Sequence, residues 1–224
     1  PQGGLISPIL ANVYLHYVLD LWFEKCIKKQ LYGEAYLVRF ADDFLIMFQY
    51  ERDAQRVYEA IIKRMELFGL ELSKEKTRIL PFGRYSASRE TFDFLGFTHF
   101  NSKTRKGYYS VGHKISRKKK KQFKSNLKRW VKENRNTQFD EFMKALNKKL
   151  TGSFNYYSLS GMIREVRSLW IHSLYVTFKW LNRRSQRRSF KLERFYEIWN
   201  VRIIHPYIHV DIWSGDKVIY NKNV

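Results

Sequence analysis

Two adjacent aspartates, Asp42 and Asp43, interrupt a segment that is otherwise apolar and aromatic. Residues 35–40 and 44–48 on either side favour strands, so the sequence predicts a hairpin with the aspartates at its tip. Burying two neighbouring carboxylates is costly unless a cation offsets their charge, and their oxygen ligands suit Mg²⁺, which also engages substrate phosphates. The pattern therefore favours the metal site of a phosphoryl-transfer enzyme over the alternative, a solvated pair of turn aspartates.

The charge balance of the chain indicates its class of partner. There are 42 Lys and Arg against 21 Asp and Glu among 224 residues, a formal net charge of +21. An excess of this size indicates a polyanion, and nucleic acid is the commonest one. A membrane is the other explanation of a basic chain, but no apolar run approaches the ~20 residues of a membrane-spanning helix. The single cysteine, Cys26, excludes an internal disulfide and fits a reducing compartment.

The first part of the chain mixes predicted helices and strands. Ser7 followed by Pro8 predicts a helix start with Ser7 as the N-cap, and this helix is expected to run from 9 to about 29. An amphipathic helix is predicted for 53–68, with Gly69 closing it as a C′ glycine.

Short strands are predicted at 71–72, 77–81 and 92–97. The composition then changes: residues 101–135 contain 14 Lys or Arg and one acidic residue. Three helices are predicted beyond this point, over 117–135, around 139–150 and over 162–181. The sequence therefore predicts an α+β fold, with one domain over 1–105 and an all-helical basic domain over 106–224.

Four sequence blocks occur in an order that resembles reverse transcriptases. Residues 1–8 (PQGGLISP) are similar to the proline-glutamine-glycine block of that family. Residues 40–43 (FADD) are similar to its tyrosine-alanine-aspartate-aspartate box, with Phe40 in place of the tyrosine. Residues 69–77 (GLELSKEKT) resemble the next block, and residues 94–97 (FLGF) resemble the primer-side block.

Two later segments resemble a more specific group. Residues 146–157 (LNKKLTGSFNYY) and 181–185 (LNRRS) are similar to the maturase, or thumb, domain of group II intron reverse transcriptases. The resemblance implies part of a right-hand polymerase palm followed by a helical thumb. It also implies that the first catalytic aspartate of the family belongs upstream of residue 1, and Asp20, in a predicted helix, is not expected to replace it.

The resemblance implies a role for each matching residue. Asp42 and Asp43 would be the catalytic carboxylates and ligands of two Mg²⁺ ions. The incoming nucleotide would contact the residues Gln2, Gly3, Phe40 and Lys76. Lys74 is a close alternative to Lys76, and a solvated loop lysine explains either residue equally well. The primer and template would be held by a turn formed by Phe94, Leu95 and Gly96.

Basic residues of the second domain are expected to bind RNA phosphates, which dominate the affinity of such complexes. The predicted set is Arg117, Lys118, Lys119, Lys120, Lys121, Lys124, Lys128, Arg129, Arg183, Arg184, Arg187 and Arg188. Tyr156 and Tyr157 could stack on exposed bases, but packing between helices explains at least one of them equally well.

The resemblance implies an RNA-directed DNA polymerase that copies intron RNA from a DNA primer with deoxynucleoside triphosphates and assists splicing. It would act in the cytoplasm of a bacterial-type cell without a membrane partner, with a homodimer as an open alternative. A second hypothesis is a non-catalytic RNA-binding maturase module, inactive alone because the upstream aspartate is missing. A third is a retron or diversity-generating reverse transcriptase, against which the block at 146–157 argues.

Overall fold

The structure is a computed structural model with helices and small antiparallel sheets, which confirms the predicted α+β class. It describes residues 4, 6–73, 75–185, 189–208 and 210–211. The chain divides into two compact units, Pro1–Glu90 and Thr91–Val224. The predicted boundary near residue 105 lies within the second unit, because a three-stranded sheet that spans it groups with the helices that follow.

The first unit opens with a long helical segment. Helix α1 spans Ser7–Leu15 and continues through two π-helical turns, His16–Asp20 and Phe23–Ile27, into a 3₁₀ turn at Lys28–Gln30. Because π turns hold more residues per turn than an α-helix, they change which side chains face a neighbouring element.

The predicted N-cap of α1 is wrong by one residue. The cap is Ile6, whose carbonyl accepts from the backbone N–H of Leu10 at 3.0 Å, so Ser7 is already helical. Pro8 still lies in the first helical turn, where its missing N–H costs no intrahelical bond.

A hairpin and one helix complete the regular structure of this unit. Strand β1 spans Ala35–Phe40 and pairs antiparallel with β2, Asp43–Phe48. Helix α2 follows over Glu51–Leu67. It ends as predicted at Gly69, which has φ +66°; the N–H groups of Gly69 and Leu70 donate to the carbonyls of Glu66 and Met65 in a Schellman motif.

The core of the first unit lies between the helical segment, β1 and α2. Its buried residues are Val18, Leu19, Phe23, Ala35, Val57, Ile61 and Met65. Asp53 is also buried, and its Oδ2 accepts from the backbone N–H groups of Tyr32 and Gly33, both at 3.0 Å. These bonds tie the first turn of α2 to the chain that enters β1.

The segment after α2 differs from the prediction. The strands expected at 71–72 and 77–81 do not form: the described residues there have no strand partner, and strand propensity depends on such pairing. The strand expected at 92–97 is instead two strands, β3 (Thr91–Phe94) and β4 (Phe97–Lys103), separated by a two-residue turn.

A third strand, β5 (Tyr109–Ile115), pairs antiparallel with β4. The prediction that 106–224 is all-helical is therefore wrong for this strand. Gly112 lies opposite Phe100, and a Cβ on Gly112 would lie 2.4 Å from Phe100 Cε2. The glycine lets the aromatic ring lie across the strand, but it also weakens the strand pattern in the sequence.

Four helices follow the sheet: α3 (Arg117–Asn134), α4 (Phe139–Tyr157), α5 (Ile163–Leu181) and α6 (Leu192–Arg202). The first three confirm the predicted helices, and α6 was not predicted. The largest fully buried side chains of the unit come from all four helices and include Leu127, Phe142, Leu169, Phe195 and Trp199. Among the described residues, no helix is long and apolar enough to cross a membrane.

Candidate active site and nucleic-acid surface

Asp42 and Asp43 lie at the tip of the β1–β2 hairpin. Phe40 pairs with Asp43, which leaves Ala41 and Asp42 as a two-residue turn. Ala41 has φ +54° and Asp42 does not have a positive φ, the pattern of a type II′ turn. Glycine usually occupies the first central position of such a turn, so alanine there carries backbone strain.

Both carboxylates are exposed to solvent, so the expectation that they are buried is wrong. Asp42 is a central residue of the turn and lies beyond the last strand pair, whereas Asp43 begins β2 and is exposed opposite Phe40. Neither carboxylate therefore has the desolvation cost that the apolar neighbours suggested. Among the described residues, no third His, Cys, Asp or Glu joins the pair to form a metal-binding group. Two carboxylates nevertheless match the common protein contribution to one Mg²⁺, whose remaining ligands are substrate phosphates and water.

Arg39 fixes the turn from the inner face of the hairpin. Its Nε and Nη2 donate to the two carboxylate oxygens of Asp20 at 2.8 and 2.7 Å. Its Nη1 donates to the carbonyl of Ala41 at 2.8 Å and to Oδ1 of Asn12 at 3.0 Å. The residue that precedes the Asp-containing box thus connects the strained turn to two residues of the opening helical segment.

The ion pair also changes two pKa values. Hydrogen bonding to Arg39 holds the pKa of Asp20 below its usual value of 3.8. Partial burial acts in the opposite direction, whereas the charge of Arg39 and the nearby His16 lower this pKa further. The same hydrogen bond raises the pKa of Arg39. Asp20 is therefore a structural partner of Arg39. The sequence around Arg39 does not indicate this role, because its partner Asp20 is 19 positions away, at the end of a π-helical turn.

The outer face of the hairpin is apolar and exposed. Phe40, which lies directly opposite Asp43, has 64% of its surface exposed, and Tyr36, Val38 and Met47 are also exposed. Directly opposed residues of an antiparallel pair share a face, so the Phe40 ring and the Asp43 carboxylate lie on the same side of the hairpin. Phe40 is thus open to contact with a ligand near the carboxylates.

The remaining predicted nucleotide contacts are less defined. Gln2, Gly3 and Lys74 lie outside the described residues. Lys76 is exposed in a turn in which its backbone N–H donates to the carbonyl of Ser73 at 3.0 Å. The described contacts do not bring the Lys76 side chain to Asp42 or Asp43, so its role at the nucleotide stays a prediction.

The second unit contains the turn predicted to hold the primer. Phe94 and Phe97 pair across Leu95 and Gly96, which have φ +50° and +82°. Positive φ at both central positions is typical of a type I′ turn, and a leucine there is unusual.

Two hydrogen bonds hold this second turn. The Tyr156 hydroxyl donates to the Leu95 carbonyl at 2.7 Å, and the backbone N–H of Ser116 donates to the Gly96 carbonyl at 2.9 Å. Tyr156 also stacks on Phe97. Tyr156 thus packs within the second unit, as the alternative to base stacking expects, although 53% of its surface is exposed. Tyr157 is half-buried beside it, and burial raises its pKa.

The predicted RNA-binding residues of α3 are not equivalent. Lys120 is half-buried, and its Nζ lies 3.0 Å from a carboxylate oxygen of Glu165, so its charge is already paired. Lys124 is half-buried next to His172, whose pKa is lowered by burial and by the charge of Lys124. The others are exposed to solvent: Arg117, Lys118, Lys119, Lys121, Lys128 and Arg129.

The second predicted basic cluster is only partly described. Arg183 is exposed. Arg184 is half-buried, and its Nε and Nη2 have no hydrogen-bond partner in the described part of the chain; burial lowers its pKa. Arg187 and Arg188 lie outside the described residues.

Comparison with known proteins finds a similarity to one family in the first part of the chain. Residues 1–99 match the family model described as Reverse transcriptase (RNA-dependent DNA polymerase). The match includes the hairpin with Asp42 and Asp43 and extends into the first strands of the second unit. No curated protein matches the chain. A reverse-transcriptase-type function is therefore supported at the level of this domain.

Proposed function

We propose that these residues form part of the palm and the thumb of a group II intron-type reverse transcriptase, which copies intron RNA and assists its splicing. The observation that carries the proposal is the exposed Asp42–Asp43 pair on a strained turn inside a reverse-transcriptase match. The resemblance of residues 146–157 to a maturase domain supports the group II intron assignment, and the exposed cations of α3 support RNA binding.

In this proposal each part of the hairpin has a distinct task. Asp42 and Asp43 would hold Mg²⁺, and the bound ion would supply the positive charge that offsets charge developing on the transferred phosphoryl group. Arg39 positions the two carboxylates by fixing the Ala41 carbonyl. The exposed ring of Phe40 offers an apolar surface beside Asp43 for the nucleotide or the primer end.

The test is primer extension on an RNA template by the gene product that carries these residues, with Asp42→Ala and Asp43→Ala variants. Each variant should lose more than about a hundredfold in activity, because loss of a ligand exceeds the 10–100-fold effect of an outer-shell partner. Glu59→Gln is the matched control, since it also removes one exposed negative charge from the first unit. Undiminished extension by both aspartate variants would exclude the polymerase proposal.

A second candidate is an RNA-binding maturase module without polymerase activity. It is favoured by the absence, among the described residues, of a third metal-binding side chain beside the pair. Under this candidate residues 1–224 alone bind RNA with a steep salt dependence but do not extend a primer. Primer extension by residues 1–224 alone would contradict it.

A further inference from the structure

Three cations surround a single aromatic ring at the ends of α3 and α5. The Trp180 ring centroid lies 5.8 Å from Lys132 Nζ, 5.5 Å from Arg135 Cζ and 5.5 Å from Arg183 Cζ. In the rest of the described chain, each aromatic ring with a cation–π contact has one cation. The convergence at Trp180 is thus specific to this place.

The fold sets this arrangement. Helix α3 packs along α5, and Lys132 and Arg135 are three residues apart, so they occupy the same face at the end of α3. Arg183 follows the end of α5, where its backbone N–H donates to the Trp180 carbonyl at 3.2 Å. Trp180 itself is half-buried against the core of the second unit, which holds the ring in place.

The three positive charges repel one another, and none of them has an ion pair with an acidic side chain among the described residues. Each lies within 6 Å of the same centroid, so no pair is more than about 12 Å apart, a distance shorter than the screening length of about 30 Å at 0.01 M salt. The ion pairs of the described second unit involve Lys120 and Arg202 instead. The attraction of an aromatic ring for a cation is modest, and three cations share the Trp180 ring. An anion bound by these three cations would therefore relieve their repulsion.

We infer that Lys132, Arg135, Arg183 and Trp180 form a binding site for a backbone phosphate of RNA. This inference rests on the proposed RNA-binding function and names a site within it. Guanidinium groups bind phosphate oxygens in a bidentate manner, and Lys132 and Arg183 are exposed to receive such a ligand. Of the three cations, only Arg183 belongs to the set of RNA-binding residues predicted from the sequence.

A structural explanation predicts something different. Cations near helix C-termini interact favourably with the helix dipole, and Lys132 and Arg135 lie at the end of α3. If that were their whole role, their removal would lower the melting temperature and leave RNA affinity unchanged. The test therefore measures both properties on the same variants.

The experiment measures binding of a fluorescein-labelled oligouridine to the full chain by anisotropy over a range of salt concentrations. The triple variant Lys132→Gln, Arg135→Gln, Arg183→Gln is compared with the control triple Lys144→Gln, Arg164→Gln, Arg167→Gln. The control removes the same charge from exposed positions of α4 and α5. The site variant should lose at least about tenfold more affinity than the control, and its salt slope should fall by about 0.7, since the site contacts one phosphate and each phosphate contact contributes about 0.7.

The outcomes separate the two proposals. If the wild-type chain does not bind the RNA, the proposed RNA-binding function fails. If the wild-type chain binds and the two triple variants weaken it equally, the site at Trp180 is excluded. Should the site variant melt early, Arg183→Gln alone decides the question, because Arg183 lies beyond the end of α5. Arg183→Gln should weaken RNA binding more than Arg164→Gln does, and an equal loss of affinity in the two variants excludes the site.

Discussion

The turns of the β1–β2 and β3–β4 hairpins both contain a strained residue, and different contacts stabilise them. Both are two-residue turns with a non-glycine residue at positive φ, Ala41 in the first unit and Leu95 in the second. Ala41 is held by Arg39, a cation that is itself paired with Asp20. Leu95 is held by the neutral hydroxyl of Tyr156. A turn that presents two carboxylates is thus stabilised by charge from its inner side, and a turn without charge is stabilised by packing and neutral hydrogen bonds.

The strongest test of this difference is Arg39→Ala. The change removes both hydrogen bonds from Arg39 to Asp20, whose side chain is 25% exposed, and frees the Ala41 carbonyl. We expect the hairpin to lose about 2 kcal/mol of stability against opening, since an unpaired charged group retains most of its desolvation cost. Hydrogen exchange of the β1–β2 amides measures this locally. Arg39→Lys, which keeps the charge but not the paired hydrogen bonds, should lose less, and equal exchange in all three proteins would contradict the anchor role.

The strain in the two turns can be compared by glycine substitution. Ala41→Gly should stabilise the first hairpin by about 1 kcal/mol, because glycine accepts positive φ without the Cβ clash. Leu95→Gly should give a smaller gain or none, because Leu95 also packs against the core of the second unit and that contact is lost. Thermal unfolding of both variants checks the order. A larger gain of stability from Leu95→Gly than from Ala41→Gly would contradict this order.

The hydrogen bond from the Tyr156 hydroxyl to the Leu95 carbonyl is tested by Tyr156→Phe. Loss of the hydroxyl frees the Leu95 carbonyl, and we expect a destabilisation of about 0.5–1 kcal/mol. Tyr175→Phe is the matched control, because Tyr175 is also 53% exposed and its hydroxyl has no hydrogen bond among the described contacts. Urea denaturation of the two variants gives the comparison. Equal effects would show that the Tyr156 hydroxyl does not stabilise the turn.

The smallest expected effect is a pH dependence of hairpin stability that arises from the Arg39–Asp20 ion pair. The pKa of Asp20 is lowered in the folded protein, so its contribution is present above the ordinary value of 3.8 and is lost as pH falls below that value towards the lower folded pKa. The stability difference between wild type and Asp20→Asn should therefore shrink as pH falls from about 5 to about 2. Hydrogen exchange of the hairpin at several pH values measures it, with the Leu95 turn as an internal reference. A stability difference between wild type and Asp20→Asn that grows as pH falls would contradict this prediction.

The sequence predicted the elements with strong local signals. The strand–turn–strand around Asp42 and the long helices α2 to α5 follow from alternation, from helical spacing and from Gly69. It did not predict β5, because Gly112 and the polar residues around it break the strand pattern, and the reason for that glycine is the ring of Phe100 on the neighbouring strand.

The candidate site was predicted in its identity but not in its environment. Asp42 and Asp43 were placed at a hairpin tip, yet their burial was misjudged, because a tight turn exposes residues whatever the polarity of the strands beside them. The contact of Arg39 with Asp20 joins distant positions through a π-helical turn, and the cations around Trp180 come from the ends of two helices. Neither arrangement has a local sequence pattern.

Ser116 makes the Leu95–Gly96 turn and the basic helix mechanically dependent on each other. Its backbone N–H donates to the Gly96 carbonyl, and its hydroxyl accepts from the N–H of Lys119 to cap α3. A displacement of the turn must therefore break the bond to Ser116 or carry the first turn of α3 with it. A load applied to either element is transmitted to the other through one buried serine.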